Sequence, residues 1–149
     1  MAVKKFDKVF YRTAATPITT IAYSGTTPSG WTALPGTALV AESKADMDKG
    51  VSTPIQDGTE YIGSDKANVE ITIVNFAVGD LATLRTAFLN NPVDILMIDS
   101  DNKAPAYCVW GVRAYPKISS EEEPKITISG SKEKSSGASA APLTLIPVT

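Results

Sequence analysis

The chain has 149 residues and a formal net charge of -2, with 14 Lys and Arg against 16 Asp and Glu, and this length is typical of one domain. It has no histidine and one cysteine, which excludes Ser-His-Asp and Cys-His catalysis, a histidine-ligated zinc or haem site, and an internal disulfide. The balanced charge also argues against a general nucleic-acid surface, because such a surface needs a basic excess.

Residues 1–36 are expected to form an irregular N-terminal segment of this single domain of residues 1–149. Prolines, glycines, serines and threonines crowd residues 13–36, with room for one short strand near residues 18–23. The first twelve residues hold four basic side chains and one acidic one, a local charge of +3. Trp31 lies in this irregular stretch, and we take it as a candidate for contact with a partner.

Residues 37–62 are predicted to form a long polar hairpin. Two weakly patterned strands, at about residues 37–47 and 51–62, alternate polar residues and offer few core positions. Residues 42–70 contain seven acidic and three basic side chains, a local charge of -4. A hairpin this polar and this long suits a surface that pairs with another subunit. The candidate contact residues in it are Lys44, Asp46, Asp48, Lys49, Gln56, Asp57, Glu60 and Tyr61.

Residues 67–76 alternate apolar and polar side chains, which predicts a half-buried strand. A helix is predicted next, over about residues 80–90, with Asp80 as its N-cap. Leu81, Leu84 and Phe88 recur at helical spacing and give it one apolar stripe, so we expect that stripe to face the sheet. The residues Asn90-Asn91-Pro92 are a good stop signal, because asparagine tolerates the left-handed conformation and proline cannot continue a helix.

Residues 93–99 are nearly all apolar, which predicts a strand that is buried on both faces. A polar turn separates it from residues 106–115, which are rich in aromatic and β-branched side chains, and the two runs read as a hairpin. Trp110 is expected in the core. Cys108 has no basic neighbour in sequence to lower the pKa of its thiol, so we expect a small buried side chain.

The C-terminal part combines one strand, at residues 124–129, with a low-complexity linker at residues 130–142. We treat residues 130–149 as a flexible C-terminal arm. Its apolar tip either folds back as an edge strand or pairs with a neighbouring chain by strand addition. The candidate contact residues of the tip are Leu143, Leu145 and Ile146.

No group of residues predicts catalysis, a cofactor or a metal. The acidic run at residues 121–123 is typical of a solvated turn, and Asp99 and Asp101 suit a hairpin turn better than a calcium loop. No glycine-rich phosphate loop is present. No apolar run approaches the roughly 18–20 residues of a membrane span, and no secretory signal is recognised at the N-terminus. We therefore expect that this protein is not an enzyme and that it does not bind a membrane.

The order of these elements resembles the tail tube proteins of bacteriophages, the small type related to the tubes of contractile injection machines. The resemblance covers about residues 37–131. It rests on order and spacing, and its most suggestive strings are residues 69–73 (Val-Glu-Ile-Thr-Ile), 81–85 (Leu-Ala-Thr-Leu-Arg) and 95–99 (Ile-Leu-Met-Ile-Asp). The long Pro- and Thr-rich segment at residues 13–36 departs from the compact pattern of that family.

The resemblance implies a β-sandwich or β-barrel with one flanking helix, a long hairpin and extended termini. It also implies a structural virion protein that assembles with itself into stacked rings of six. The rings form the hollow tail tube through which DNA passes without specific binding, and such lumens are often acidic. Further implied partners are other tail proteins, namely a sheath or terminator and a baseplate. The implied location is the virion tail, assembled in the host cytoplasm.

Two alternatives remain open at this stage. One is a related assembly part: a tail completion or head-tail joining protein, or the tube protein of a bacterial secretion system. The other is a ligand-binding β-sandwich module that uses Trp31 and Tyr23, for example on a carbohydrate. Open-ended stacking separates a tube from a joining ring, and glycan binding lost on Trp31→Ala identifies the module.

Overall fold

A computed structural model describes residues 5–38, 43–49, 52–54, 56–58, 60–62, 65–101, 103–120, 124–133 and 141–149; for residues 38, 49, 52–54 and 60–62 it describes the backbone only. The strands are β1 (Lys8–Thr13), β2 (Thr32–Ala33), β3 (Thr37–Ala38), β4 (Lys44–Lys49), β5 (Ser52–Pro54), β6 (Glu60–Ile62), β7 (Asp65–Val74), β8 (Val93–Ile98), β9 (Ala106–Ser119), β10 (Lys125–Glu133) and β11 (Leu143–Ile146). One helix, α1 (Asp80–Asn90), lies between β7 and β8.

Nine of the described strands form one antiparallel sheet, in the order β2-β1-β8-β9-β10-β7-β3, with β11 beside β9 and β4 beside β7. The remaining described pair, β5 and β6, forms a separate two-stranded ribbon. The prediction of a mainly β fold with one flanking helix is confirmed.

Strand β9 is shared by the two halves of this sheet. Its first part pairs with β8 and with β11, and its second part pairs with β10. The pairing with β8 shifts register between Val93 and Ile95, which marks a bulge. Gly111 lies at this bulge with φ +64°, a left-handed backbone conformation that glycine adopts without the steric penalty of a Cβ. The bulge is therefore where the long strand leaves one set of neighbours and meets the next.

Two apolar clusters lie on opposite faces of β8. The first contains Val93, Ile95 and Met97 together with core residues of β7, β9, β10 and α1. The second contains Leu96 and Ile98, and residues 18–31 and the C-terminal residues cover it. All six residues of β8 are buried. The predicted burial of this strand on both faces is confirmed, and the irregular N-terminal segment supplies the outer layer.

Helix α1 has the predicted bounds and lies against the first cluster through Leu84 and Phe88, both fully buried. Burying side chains of this size stabilises the fold by about 1.5–3 kcal/mol each. The predicted caps are wrong in detail. Gly79 is the N-cap, and Asp80 is the first helical residue, whose Oδ2 accepts the backbone N–H of Ala77 at 2.6 Å. The C-cap, Asn91, is extended rather than left-handed.

The N-terminal segment is more ordered than predicted. Strand β1 pairs with β8 along its whole length, although we assigned residues 1–36 to an irregular segment. The apolar run Val9-Phe10-Tyr11 is the signal for it, because these residue types favour strands. The short strand expected near residues 18–23 is reduced to a single parallel bridge between Ile21 and Val148.

The C-terminal boundaries also differ from the prediction. Strands β9 and β10 run to Ser119 and Glu133, so residues 130–133 belong to the sheet and not to a linker. Residues 134–140 of the predicted arm, and the acidic run at residues 121–123, lie outside the described residues. Strand β11 pairs antiparallel with β9 of its own chain, which is the fold-back alternative for the apolar tip.

Candidate assembly surface

A long hairpin leaves the sheet at one end. Strand β4 pairs with the first half of β7, from Lys44 opposite Glu70 to Lys49 opposite Asp65. Strand β5 pairs with β6, from Ser52 opposite Ile62 to Pro54 opposite Glu60. Both pairs have the same register, because the numbers of facing residues add to 114 in each. We call β4, β5, the turn at residues 56–58, β6 and residues 65–70 of β7 the hairpin arm.

The hairpin arm corrects the predicted strand boundaries. Residues 51–62 were expected to form one strand, but the chain turns within them at residues 56–58. Gly58 has φ +89°, a value that suits a tight reversal. The predicted strand at residues 37–47 was expected to pair with residues 51–62. Instead, β3 and β4 both pair with β7. The single predicted strand at 67–76 is thus the second strand of the same hairpin.

Eight of the predicted contact residues lie on the hairpin arm. Lys44, Asp46 and Asp48 are exposed and, by strand alternation, share one face of β4. Gln56 and Asp57 are exposed in the turn. The other three of this set are placed by their backbone only: Lys49 in β4, and Glu60 and Tyr61 in β6. Their part in contacts between copies stays a prediction.

The exposed face of β4 continues across β7, β10 and β9 as rows of polar side chains. Facing residues form three rows: Lys44, Glu70, Ser129 and Tyr115; Asp46, Asn68, Ser131 and Arg113; and Asp48, Lys66 and Glu133. The three rows together hold three basic and four acidic side chains, so charges of both signs lie on this face. A shallow groove of about 350 Å³ lies over the first two rows, between β4, β7 and β10.

The remaining predicted contact residues lie outside the arm. Trp31 is as buried as Trp110, at 7% and 6% exposure, and its ring is already packed within the chain. Leu143 and Ile146 are buried on β11, whereas Leu145 is 54% exposed. The structure thus places eight of the twelve candidates on the arm, where the five described side chains are exposed, and four elsewhere, of which three are buried. The expectation that Trp110 belongs to the core is confirmed.

A buried ion pair that sequence reasoning missed holds the opposite end of the sheet. Asp94, fully buried, accepts Arg12 Nε at 2.8 Å, and its two oxygens also accept the backbone N–H groups of Ala15 (3.1 Å) and Gly111 (2.8 Å). The guanidinium of Arg12 lies 4.6 Å from the ring of Trp31. The available signal was a lone carboxylate inside an otherwise apolar strand.

This ion pair fastens three parts of the chain to one point. Arg12 belongs to β1, Ala15 opens the irregular segment, and Gly111 is the bulge of β9. The bulge leaves the N–H of Gly111 outside the β8–β9 ladder, and Asp94 supplies its acceptor. The pair is therefore structural: its hydrogen bonds are used within the fold.

Cys108 behaves as the sequence predicts. It is fully buried in the second cluster, opposite Thr144 of β11. Burial, with a smaller contribution from the nearby Asp94 charge, raises the pKa of its thiol far above the ordinary value, and Arg12 offsets only part of that. A neutral thiol of this kind is a poor nucleophile.

Among the residues that the structure describes, no group of three or more His, Cys, Asp or Glu is arranged to hold a metal ion. No helix in the same part of the chain is long and apolar enough to cross a membrane. No known protein-family model matches this sequence. A search of curated proteins likewise finds no relative. We therefore infer the function of this chain from the geometry of the hairpin arm and of the sheet.

Proposed function

We propose that this chain is a structural subunit of a bacteriophage tail tube. In this proposal, copies assemble into stacked rings of six, and the stacked rings form a hollow tube in the virion tail through which DNA passes. The observation that carries the proposal is the hairpin arm, which extends the β4–β7 pair in one register into a ribbon of only two strands. Sheath or terminator and baseplate proteins are the further partners proposed.

A two-stranded ribbon is a poor structure for a lone domain. An isolated hairpin is at best marginally stable in water, because it has no third strand or helix to cover either face. Within the described residues, β5 and β6 have no strand partner except each other. A neighbouring subunit supplies such a cover in an assembly, and the arm gains its stability there.

The two ends of the sheet carry opposite charge. Near one edge, Lys5, just before β1, and Lys8, its first residue, are exposed, and the charge of Arg12 is neutralised by Asp94. At the other edge, the region of residues 42–70, which includes the arm, has a local charge of -4. A head-to-tail contact between copies brings opposite ends together, and a contact of that type builds a ring when the rotation between copies closes. Complementary charge then favours the correct orientation of neighbours.

The polar rows on the exposed face of β4, β7, β10 and β9 are compatible with a tube wall that does not retain DNA. They hold no basic excess, and sequence-independent DNA binding requires one. Four small or uncharged side chains lie among the charges of the first two rows: Ser129, Ser131, Asn68 and Tyr115.

The test is negative-stain electron microscopy of the concentrated full chain and of a variant without the ribbon. Lys49 and Asp65 face each other, so residues 50–64 can be replaced by Asn-Gly, which forms the tight turn of a two-residue hairpin. We expect tubes from the natural chain, and from the variant a folded protein with an unchanged unfolding midpoint that forms no tubes.

A matched control keeps the ribbon and changes only one turn side chain, Gln56→Ser, and it should form tubes normally. If the shortened variant forms tubes of unchanged length, the ribbon has no role in assembly. Single rings that never stack would overturn the tube and favour a joining protein. A monomer at every concentration would overturn self-assembly itself.

A further inference from the structure

The C-terminal strand fills a groove that any copy of the chain could fill. Strand β11 pairs with Ala106–Val109 of β9, from Leu143 opposite Val109 to Ile146 opposite Ala106. Leu143 is buried in the first apolar cluster and Ile146 in the second. The strand therefore completes both cores at once, and its removal would leave apolar side chains of both clusters open to water.

The chain that leads to β11 is much longer than this position needs. Ser131 of β10 faces Arg113 of β9, and Leu143 faces Val109, only four residues further along the same strand. Four residues of strand span about 13 Å, whereas the ten residue steps from Glu133, where β10 ends, to Leu143 can reach about 33 Å. This excess length lets β11 reach the same groove on a second copy.

We propose that β11 is exchanged between copies, so that the C-terminal strand of one chain fills the β9 groove of its neighbour. The contacts made in exchange are the same as those within one chain. They include the bond from Trp110 Nε1 to Thr144 Oγ1 at 2.8 Å and the bond from Trp110 N to the carbonyl oxygen of Pro142 at 2.9 Å. Since no contact is lost, exchange costs little once two copies are held close together.

The residues after β11 extend the exchanged unit. Pro147 O accepts the N–H of Ile21, Thr149 O accepts the N–H of Tyr23, and Thr149 N donates to Ile21 O. The C-terminus of one chain thus fastens the irregular N-terminal segment that covers the second cluster. After exchange, the segment of one copy is held by the C-terminus of the other, which links the two copies at a second point. A pair of copies suffices for this, so the inference does not require a tube.

The native cysteine makes the exchange measurable. Thr144 faces Cys108, and the Cα atoms of facing antiparallel residues lie about 4.5–5.5 Å apart, within the range of disulfides. One tagged chain carries Cys108→Ser with Thr144→Cys, and a second chain keeps only the natural Cys108. When the two are co-expressed, a disulfide between positions 108 and 144 can form only between chains.

We expect oxidation with diamide of the purified, assembled mixture to give a covalent dimer on a non-reducing gel. Mass spectrometry should find the peptides of Cys108 and of position 144 linked, and reduction should remove the dimer. The matched control replaces Thr144→Cys by Leu145→Cys. Leu145 is exposed and faces Tyr107, so this mixture should give no link to Cys108.

Thr144→Cys in a chain that keeps Cys108 shows whether the geometry permits the bond. If that chain forms an internal disulfide and the mixture forms no 108–144 dimer, β11 stays in its own chain and the inference is wrong. If the internal bond does not form, the facing pair Ala106→Cys and Ile146→Cys, on a Cys108→Ser background, decides by the same comparison. Tubes without the mixed link would overturn the exchange alone; the mixed link in particles that are not tubes would overturn the proposed function alone.

Discussion

The region around β8 and the hairpin arm differ in what holds them. Strand β8 is buried on both faces, has a strand partner on each edge, and carries one carboxylate that is fully engaged by Arg12 and two backbone N–H groups. The described side chains of the arm's β4 and turn are mostly polar and exposed, and its distal strands pair only with each other among the described residues.

Under the proposed function, this difference separates the residues that stabilise the fold from those that make contacts between copies. Apolar burial around β8 stabilises the folded chain, because it removes surface from water whether or not a partner is present. At the base of the arm, Ala45, Ala67 and Val69 belong to the first cluster. The exposed face of β4 and the turn bury little, and under the proposed function a neighbouring subunit covers them. Substitutions in the two regions should therefore affect different measurements.

The largest expected effect is on the buried ion pair. Asp94→Ala leaves Arg12 without its counter-charge and leaves the N–H groups of Ala15 and Gly111 without an acceptor. Breaking a buried pair on one side costs about 3–5 kcal/mol, so the free energy of unfolding from urea denaturation should fall by that amount. The control is Asp48→Ala on the arm, where the urea midpoint should hardly move. Equal losses from both variants would contradict the separation.

An intermediate effect is expected from the buried thiol at high pH. The pKa of Cys108 is raised in the folded state, so above its ordinary value of 9.0 the unfolded chain loses the proton and the folded chain keeps it. Stability should then fall as the pH rises above 9, by up to about 1.4 kcal/mol per pH unit. The half-buried Tyr11, whose pKa is also raised by burial, adds a loss in the same direction at higher pH.

Cys108→Ala isolates the contribution of the thiol. The variant should show a shallower decline of the unfolding free energy between pH 9 and pH 10.5 than the natural chain, measured in the same urea series. Parallel declines in the two proteins would mean that Cys108 ionises in the folded state and is not held as the structure describes.

The smallest expected effect on stability, and a large one on assembly, comes from the charges of the arm. Asp46→Asn with Asp48→Asn changes two exposed side chains, and surface changes of this kind usually stay within about 0.5 kcal/mol. Sedimentation should nevertheless show weaker assembly, because the acidic end loses its attraction for the basic end of the next copy. Charge reversal at both ends, Asp46→Lys and Asp48→Lys with Lys5→Glu and Lys8→Glu, should restore it. If the variant with Asp46→Asn and Asp48→Asn assembles as well as the natural chain, these charges do not contribute to the contact between copies.

Short-range patterns predicted the elements that hold the body together. Apolar periodicity predicts helix α1, the doubly buried β8 and the β8–β9 hairpin, because the spacing of buried side chains differs between a helix and a strand. Strand β1 escaped prediction, although its apolar run was visible, because charged and irregular neighbours surround it. The turn inside residues 51–62 was not predicted, because polar residues alternate in almost the same way before and after the chain reverses.

The sequence by itself determined a mainly β domain without histidine chemistry, with one amphipathic helix, a buried cysteine and opposite local charges. Hydropathy and residue type act locally, so these features can be recognised without coordinates. Only the tertiary structure decided which strands are neighbours. It pairs β4 with β7, continues that pair in one register into β5 and β6, and pairs β11 with β9. It also places Asp94 between Arg12 and the bulge at Gly111. These contacts join residues far apart in the chain, and they depend on how the whole sheet packs.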